Sequence, residues 1–350
     1  MPRNGLAKGL MAEAWRPEKV ERMRFTVESY AKRPFDGWNA FIREANGGTL
    51  FHRLDFLAYH GARFRAAEHH LVIYKGESVH GVMPMAVFEE EHGRVARSPY
   101  GGSYGGPVFR EPQRYQESLE ILGALADHLS ECDVSEIAVT LPISICYRRY
   151  SETLRLAMLE RGFECVRRDV SSVVPLFSGE TWSSGVTSRA RNMARKAMKE
   201  GVQTVSRGPL RDFGQVMEAT FEKHGVSPTH TLSELEWLQG KFRDSVYVDL
   251  AYLDGTPVAG ICFFVLNGQA NSSFYLCQDP RFQKTQALSL LICEALERCR
   301  QEGFRWFDFG TSSVDMRGRA GIFRFKESFG AIGAFRETYA WSLRDAGGEG

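Results

Sequence analysis

The sequence holds no C-x-x-C pair, and its cysteines are odd in number, seven in 350 residues. Such a set fits neither a disulfide framework nor a zinc knuckle and points to a reducing compartment, the cytoplasm. Excess charge of one sign is also missing. Lysine and arginine number 44 against 43 acids, so a net charge of +1 creates no whole-molecule field to attract nucleic acid, and any basic site has to be local. Long apolar runs are absent too. The most apolar stretch, VAGICFFVL at residues 258–266, falls well short of the roughly 20 residues that a membrane helix needs. Arg3, Lys8 and Glu13 interrupt the first residues before an apolar region forms, so a soluble protein without a transmembrane segment is expected. There is no low-complexity tract and no short-period repeat.

What is present is an ordinary globular composition, 43% hydrophobic, on a chain of 350 residues that is long for one core. Two domains are expected, and the two halves do resemble each other in outline. In the first, a helix around DGWNAFIREANGG and a second after TLFH lead to strands HHLVIYK and SVHGVMPMAVFEEE. A glycine loop, a helix from Pro112 to about Glu131, strand EIAVTLP, helix SETLRLAMLERG and a strand near SSVVPLF follow. In the second, helices DFGQVMEATFEKHG and LSELEWLQGKF lead to strands VYVDLAYL, PVAGICFFVL and NSSFYLCQ. Helix KTQALSLLICEALERCRQEG, strand WFDFG, a short helix and strand AFRETYAWSL complete it. LDGTP and LNGQ between alternating apolar runs are hairpin turns. The fold class is mixed α/β, repeated once. The boundaries are a tail at 1–23, a first domain at 24–180, a basic linker helix at 181–204 and a second domain at 205–345.

The linker TSRARNMARKAMKEGV places Arg191, Arg195 and Lys199 on one helical stripe, with Lys196 beside it and Arg189 a turn earlier. Ala190, Met193, Ala194 and Ala197 make the opposite, apolar face. Only Glu200 opposes these cations, so the stripe is either a solvated face or a phosphate-binding one. A second puzzle is FRFKESFGA at 323–331. As a helix it stacks Phe325 and Phe329 on one face and holds Lys326 against that wall. Such a lysine either snorkels to water or is aimed at negative charge.

The order of RARNMARKAMKEGV, HGVSPTH, FYLCQDPRFQKTQALSLLICEALERCRQEGFRWFDFG and FRFKESFGA resembles the Fem family of aminoacyl-tRNA-dependent peptidyl transferases and FemAB-related GNAT-like acyltransferases. The similarity runs from about Thr187 to Phe335, and loosely through TLFHRLDF and SPYGGSYGGPVF in the first half. It implies two tandem GNAT-like acyl-N-acyltransferase domains, the acceptor on the first and the donor and chemistry on the second. It also implies transfer of an aminoacyl group from charged tRNA to an amine acceptor, such as a peptidoglycan precursor or a small amine, with no resident cofactor. The donor is already activated, so the protein has to position the amine and stabilise the oxyanion.

On that basis Lys326, with Arg324 nearby, is the candidate for the donor's phosphate or the developing charge. Asp308 at the end of WFDFG is a general base, an amine anchor, a cap for the following GTSS or a partner of Lys326. Donor binding falls to Arg189, Arg191, Arg195, Lys196, Arg281 and Lys284. Acceptor binding falls to Ser103 and Tyr104 in the glycine loop, with His60 and Tyr275; Tyr275 also reads as a core tyrosine with a satisfied hydroxyl. The family's tryptophan and lysine on the first domain's second helix are replaced here by Phe56 and His60, and its early arginine and tyrosine by SPTHTLSELEW, which leaves the acceptor open.

The rival donor is acyl-CoA, which ordinary GNAT enzymes hold on a glycine-rich turn before a helix. CQDPRFQKTQALS contains no glycine there, and Arg281 and Lys284 would have to substitute. A non-catalytic binding module on the same fold is the reading from another class, which scattered positions of Lys326, Asp308 and the basic helix would favour. GGSYG at 101–105 matches G-x-S-x-G, but GPVF follows it where a nucleophile elbow needs a helix. His69 and His70 open a strand and point to opposite faces, so they cannot share a metal, and no metal site is expected.

Overall fold

The computed structural model describes residues 25–177 and 184–343; the tail expected at 1–23 and the start of the linker at 181–183 lie outside the described residues. The first half opens with β1 (Phe25–Ser29), α1 (Trp38–Glu44) and the short α2 (Leu54–Leu57), followed by β2 (Leu71–Lys75) and β3 (Ser78–Met83). The single strand expected over SVHGVMPMAVFEEE is broken. Pro84 has no N–H to give a ladder, and the chain leaves β3 there and re-forms as β4 (Ala86–Glu90) in another sheet. β5 (Gly93–Ser98), β6 (Val108–Phe109), α3 (Tyr115–Glu131), β7 (Val134–Thr140), α4 (Thr153–Glu160) and the long β8 (Glu164–Pro175) complete the half.

The second half follows the order read from the sequence. It contains α5 (Ser188–Lys199), β9 (Gln203–Val205), α6 (Leu210–His224), α7 (Leu232–Lys241), β10 (Val246–Leu253), β11 (Thr256–Val265) and β12 (Ala270–Gln278). Then come α8 (Ala287–Gln301), β13 (Trp306–Thr311), β14 (Ser313–Val314), β15 (Arg317–Gly318), α9 (Ala320–Glu327) and β16 (Ile332–Ser342). The β10–β11 turn is the two-residue hairpin that LDGTP announces: Asp254 and Gly255 take φ of 50° and 76°, the left-handed pair such a turn requires. Thr231 caps α7 through a reciprocal box with Glu234, a device worth about 1 kcal/mol.

Ten strands join in one sheet, in the order β4-β5-β7-β16-β8-β13-β12-β11-β10-β9, beside a smaller sheet β1-β2-β3-β6. The last strands of the halves are exchanged. β8 pairs with β13 of the second half, and β16 pairs with β7 of the first. Leu50, Phe51 and Phe56 share one buried cluster with Phe213, Leu250 and Phe264, so the halves also share a core. The halves cannot part without breaking ladder hydrogen bonds and exposing that cluster. None of the described helices is long and apolar enough to cross a membrane.

The repeat is unequal at one place. In the first half β5 runs parallel to β7 and pairs from Arg94 to Ser98, with one register shift after Arg94. In the second half β12 and β13 are also parallel, but they pair only at Ala270, Asn271 and Ser272 against Trp306, Phe307 and Asp308, and then diverge. Of the two parallel pairs among the described residues, the one in the second half therefore opens a slot between its strands.

Candidate active site

Asp308 sits where that slot opens. The pleat sends Phe307 and Phe309 into the core on one face of β13 and leaves Asp308 on the other. Its carboxylate is 2% exposed, accepting from the Ser272 hydroxyl at 2.9 Å and the Gly310 N–H at 2.8 Å. The Ser273 hydroxyl donates to the Asp308 carbonyl at 3.3 Å. A bulge across from Cys262 and Phe263 leaves Phe274 unpaired in β12 and puts its ring on the cavity wall. The cavity itself measures about 240 Å³, with Ser103, Tyr104, Ser272, Asp308, Thr311 and Arg336 around it.

Lys326 lies behind this wall. It is 5% exposed, and its ammonium donates to the carbonyls of Gly310 at 2.9 Å and Thr311 at 2.7 Å, the two residues that continue from Asp308 along the cavity. The snorkelling alternative is thereby removed. Burial pushes the Lys326 ammonium down to about 8, and Asp308 pulls it back up. Burial likewise raises Asp308, opposed by the Gly310 N–H, the Ser272 hydroxyl, Lys326 and Arg336. The two groups are each held nearer their neutral forms by the dry site and each favoured in the charged form by the other.

The shift has a thermodynamic consequence. A lysine that ionises at about 8 when folded and near 10.5 when unfolded binds fewer protons in the native state. Its contribution to stability is therefore least below pH 8 and grows as pH rises from about 8 to 10.5. The stability difference between the natural protein and Lys326→Met should rise with pH across that window, by at most about 1.4 kcal/mol per pH unit. A flat difference in denaturant titrations from pH 7 to pH 10 would show that the ammonium is not perturbed.

The other expected residues fall into place in three groups. Ser103 and Tyr104 line the cavity: Arg336 donates to the Ser103 carbonyl at 2.7 Å and lies 5.1 Å over the Tyr104 ring, whose hydroxyl burial holds well above its usual range. His60 stands behind this loop, its ring bonded to the Gly101 carbonyl at 3.1 Å beside a second bond from Tyr59. Gly101 has φ of 67° and an added Cβ would lie 2.5 Å from the His60 ring, so glycine is required there. Tyr275 is a buried core tyrosine: its hydroxyl takes the His230 N–H and pairs with the His230 ring at 2.8 Å. Arg324 is exposed on α9, two residues from Lys326 and thus turned away from it.

The basic stripe does not line the Asp308 cavity. α5 packs Ala190, Ala194 and Ala197 inward, and its start is bonded to the end of α9 through Thr187 and Ser328. Arg191 and Arg195 border a separate groove of about 550 Å³ between α5 and α8, and Arg189 is exposed before it. Lys196 donates to the carbonyl of Lys284 at 2.8 Å, and Arg281 is clamped on Asp279 at 2.6 Å, so three cations gather where the chain enters α8. That entry, Pro280–Thr285, is a 3-10 turn. Arg336 and Ser272 escaped the sequence reading. A signal existed for the serine, since NSS is polar inside an apolar meander strand; Arg336 sits in an alternating strand and carried none.

Residues 186–327 match the family model described as an acetyltransferase (GNAT) domain, a span that contains Asp308 and Lys326 but neither the glycine loop nor Arg336. Over 88% of this chain and 96% of its own, the crystal structure of FemX superposes with a TM-score of 0.68 at 14% identity. The chain has a FemX-like GNAT fold. A protein of unknown function from Bacteroides thetaiotaomicron shares this fold with a TM-score of 0.59 and 10% identity, covering 91% of this chain and 98% of that one. L-PGS from Bacillus licheniformis does so with 0.53 and 13%, covering 88% and 91%. No curated protein matches the sequence. Within the GNAT fold, the tandem arrangement read from the repeat agrees with the paired meander–helix–strand units. The Fem resemblance read from FKESFG and WFDFG is met in the architecture.

Proposed function

We propose that the protein forms an amide bond, transferring an activated aminoacyl group from charged tRNA to an amine of a cell-wall precursor or a peptide natural product in the cytoplasm. The observation that carries this reading is the buried Asp308 carboxylate at the mouth of the one parallel pair that splays, inside the GNAT-matched segment. The amine nitrogen attacks the ester carbonyl, forming the C–N bond. The C–O bond to the tRNA ribose then breaks. The amine's proton passes to Asp308, raised by burial toward the working pH, and onward to the leaving oxygen. Arg336 and Tyr104 line the same cavity, and Arg336 supplies positive potential for the oxyanion. Lys326 acts through the Gly310–Thr311 segment it holds, and is a positioning residue. A cavity of about 240 Å³ admits the reacting ends of the substrates and leaves their bulk outside.

Two observations favour tRNA as donor: the glycine-free entry to α8, and the cations Arg281, Lys284 and Lys196 beside it. The match to an acetyltransferase domain favours acyl-CoA as the second reading. Asp308 and the Gly310–Thr311 segment that Lys326 holds share one cavity, which favours an enzyme, whereas the basic helix borders a separate groove, which favours a binding module. Incubating the protein separately with charged tRNA pools and with acyl-CoAs, each with an amine acceptor mixture, decides the donor; consumption of the thioester alone would replace the tRNA reading.

The basic helix offers a separate test. Arg191→Glu with Arg195→Glu should weaken binding of a polyanionic donor at least about tenfold and flatten its salt dependence, with little change in melting temperature because Arg195 is exposed and Arg191 partly so. Equal affinity of the natural protein and the double variant for every phosphate-bearing ligand would reduce the stripe to a solvated surface.

A further inference from the structure

We propose that His69, His128 and Cys132 form a transition-metal site, zinc by its chemistry, which ties the end of α3 to the segment entering β2. His69 and His70 do point apart, but His69 turns toward a different element. His128 and Cys132 are four residues apart at the end of α3, so they share one helix face. The His69 and His128 Nε2 atoms lie 3.0 Å apart, and the Cys132 Sγ lies 3.9 Å from the first and 3.8 Å from the second. Tetrahedral zinc, with its usual bond lengths to nitrogen and sulfur, sets these edges at roughly 3.3 Å and 3.6 Å. A hydrogen-bonded imidazole pair explains one of the three distances. It does not explain why a thiol stands nearly equidistant from both nitrogens.

The surroundings hold the donors in place. The His69 N–H donates to Met85 at 2.9 Å, and the next carbonyl, of His70, accepts from Tyr30 at 2.8 Å. Glu28 and Glu131 face the cluster along with Lys32 and Arg94, so the local charges offset one another. Cys132 and Cys165 are the two partly exposed cysteines, and His69 is partly exposed as well, which leaves a path for the ion and a fourth position for water. Binding breaks the imidazole–imidazole hydrogen bond, shifts the donor imidazole's Nε2 proton to its own Nδ1 by exchange with solvent, forms two metal–nitrogen bonds and one metal–sulfur bond, and releases the thiol proton to solvent. None of these residues lines the Asp308 cavity, so the ion's role is to brace the first half.

The test uses the full chain, stripped with chelator and titrated with Co²⁺ under reducing conditions. About one equivalent should bind, giving the intense visible bands of a tetrahedral ion and a near-ultraviolet sulfur charge-transfer band. Cys132→Ser should abolish the charge-transfer band. His69→Gln should weaken binding by about 100-fold or more, beyond the loss typical of an outer-shell change. Cys165→Ser should match the natural protein, and zinc should raise the melting temperature only where binding survives. A natural protein that is folded by circular dichroism yet binds no cobalt would overturn the proposal, as would bands unchanged in Cys132→Ser. Should one variant fold poorly, the other and the natural protein's own spectrum still decide.

Discussion

Asp308→Asn should lower the single-turnover rate of amide formation by about 10²-fold to 10⁴-fold, or about 2.7 to 5.4 kcal/mol at the transition state. The substitution keeps shape and one acceptor oxygen for Ser272 or Gly310, but it cannot take the proton of the attacking amine. Stability should move by about 1 kcal/mol or less, because removing a buried charge offsets the weakened hydrogen bonding. The rate of the natural protein should rise with pH as Asp308 ionises, with its midpoint above the ordinary carboxylate range, and Asp308→Asn should lose that limb. A stable Asp308→Asn protein with full turnover would remove the carboxylate from the mechanism and leave it as a cap for the turn at Gly310.

Lys326→Met should lower kcat by about 10²-fold and also destabilise the fold by about 1–3 kcal/mol. Both effects follow from one geometry. The ammonium satisfies the carbonyls of Gly310 and Thr311, and methionine leaves these buried acceptors without a donor while letting the cavity wall shift. KM should change less than kcat, since Lys326 stands behind the wall and out of the substrate's reach. Arginine restores the charge in a different place and should rescue only in part. A merely structural lysine would give the same loss of melting temperature with kcat intact below the transition, so measuring both on one variant separates the roles.

Much of the architecture is legible in the sequence. Alternating apolar runs, the LDGTP turn and the 3.6-residue spacing of the long helices are local properties, set by side-chain periodicity and backbone sterics. They place the helices and the longer strands of both halves, though not β1, β5, β6, β9, β14 or β15, and FKESFG and WFDFG carry the likeness to the Fem fold. The inward alanine face and outward basic face of α5 are equally local. What only the tertiary structure decides is which distant residues meet. The exchange of β8 and β16 between halves brings Arg336 against the glycine loop of the first half, although it is 233 positions from Ser103. The divergence of β12 from β13 past Ser272 and Asp308, where β5 and β7 stay paired, is likewise set by strand pairing and not by local pattern. Lys326 reads as a charge beside an aromatic wall, yet burial and two carbonyls make it a brace for the loop after Asp308. His69 joins His128 and Cys132 because the end of α3 packs against the entry to β2, a long-range contact with no periodicity to announce it. Periodicity specifies faces; long-range packing specifies partners.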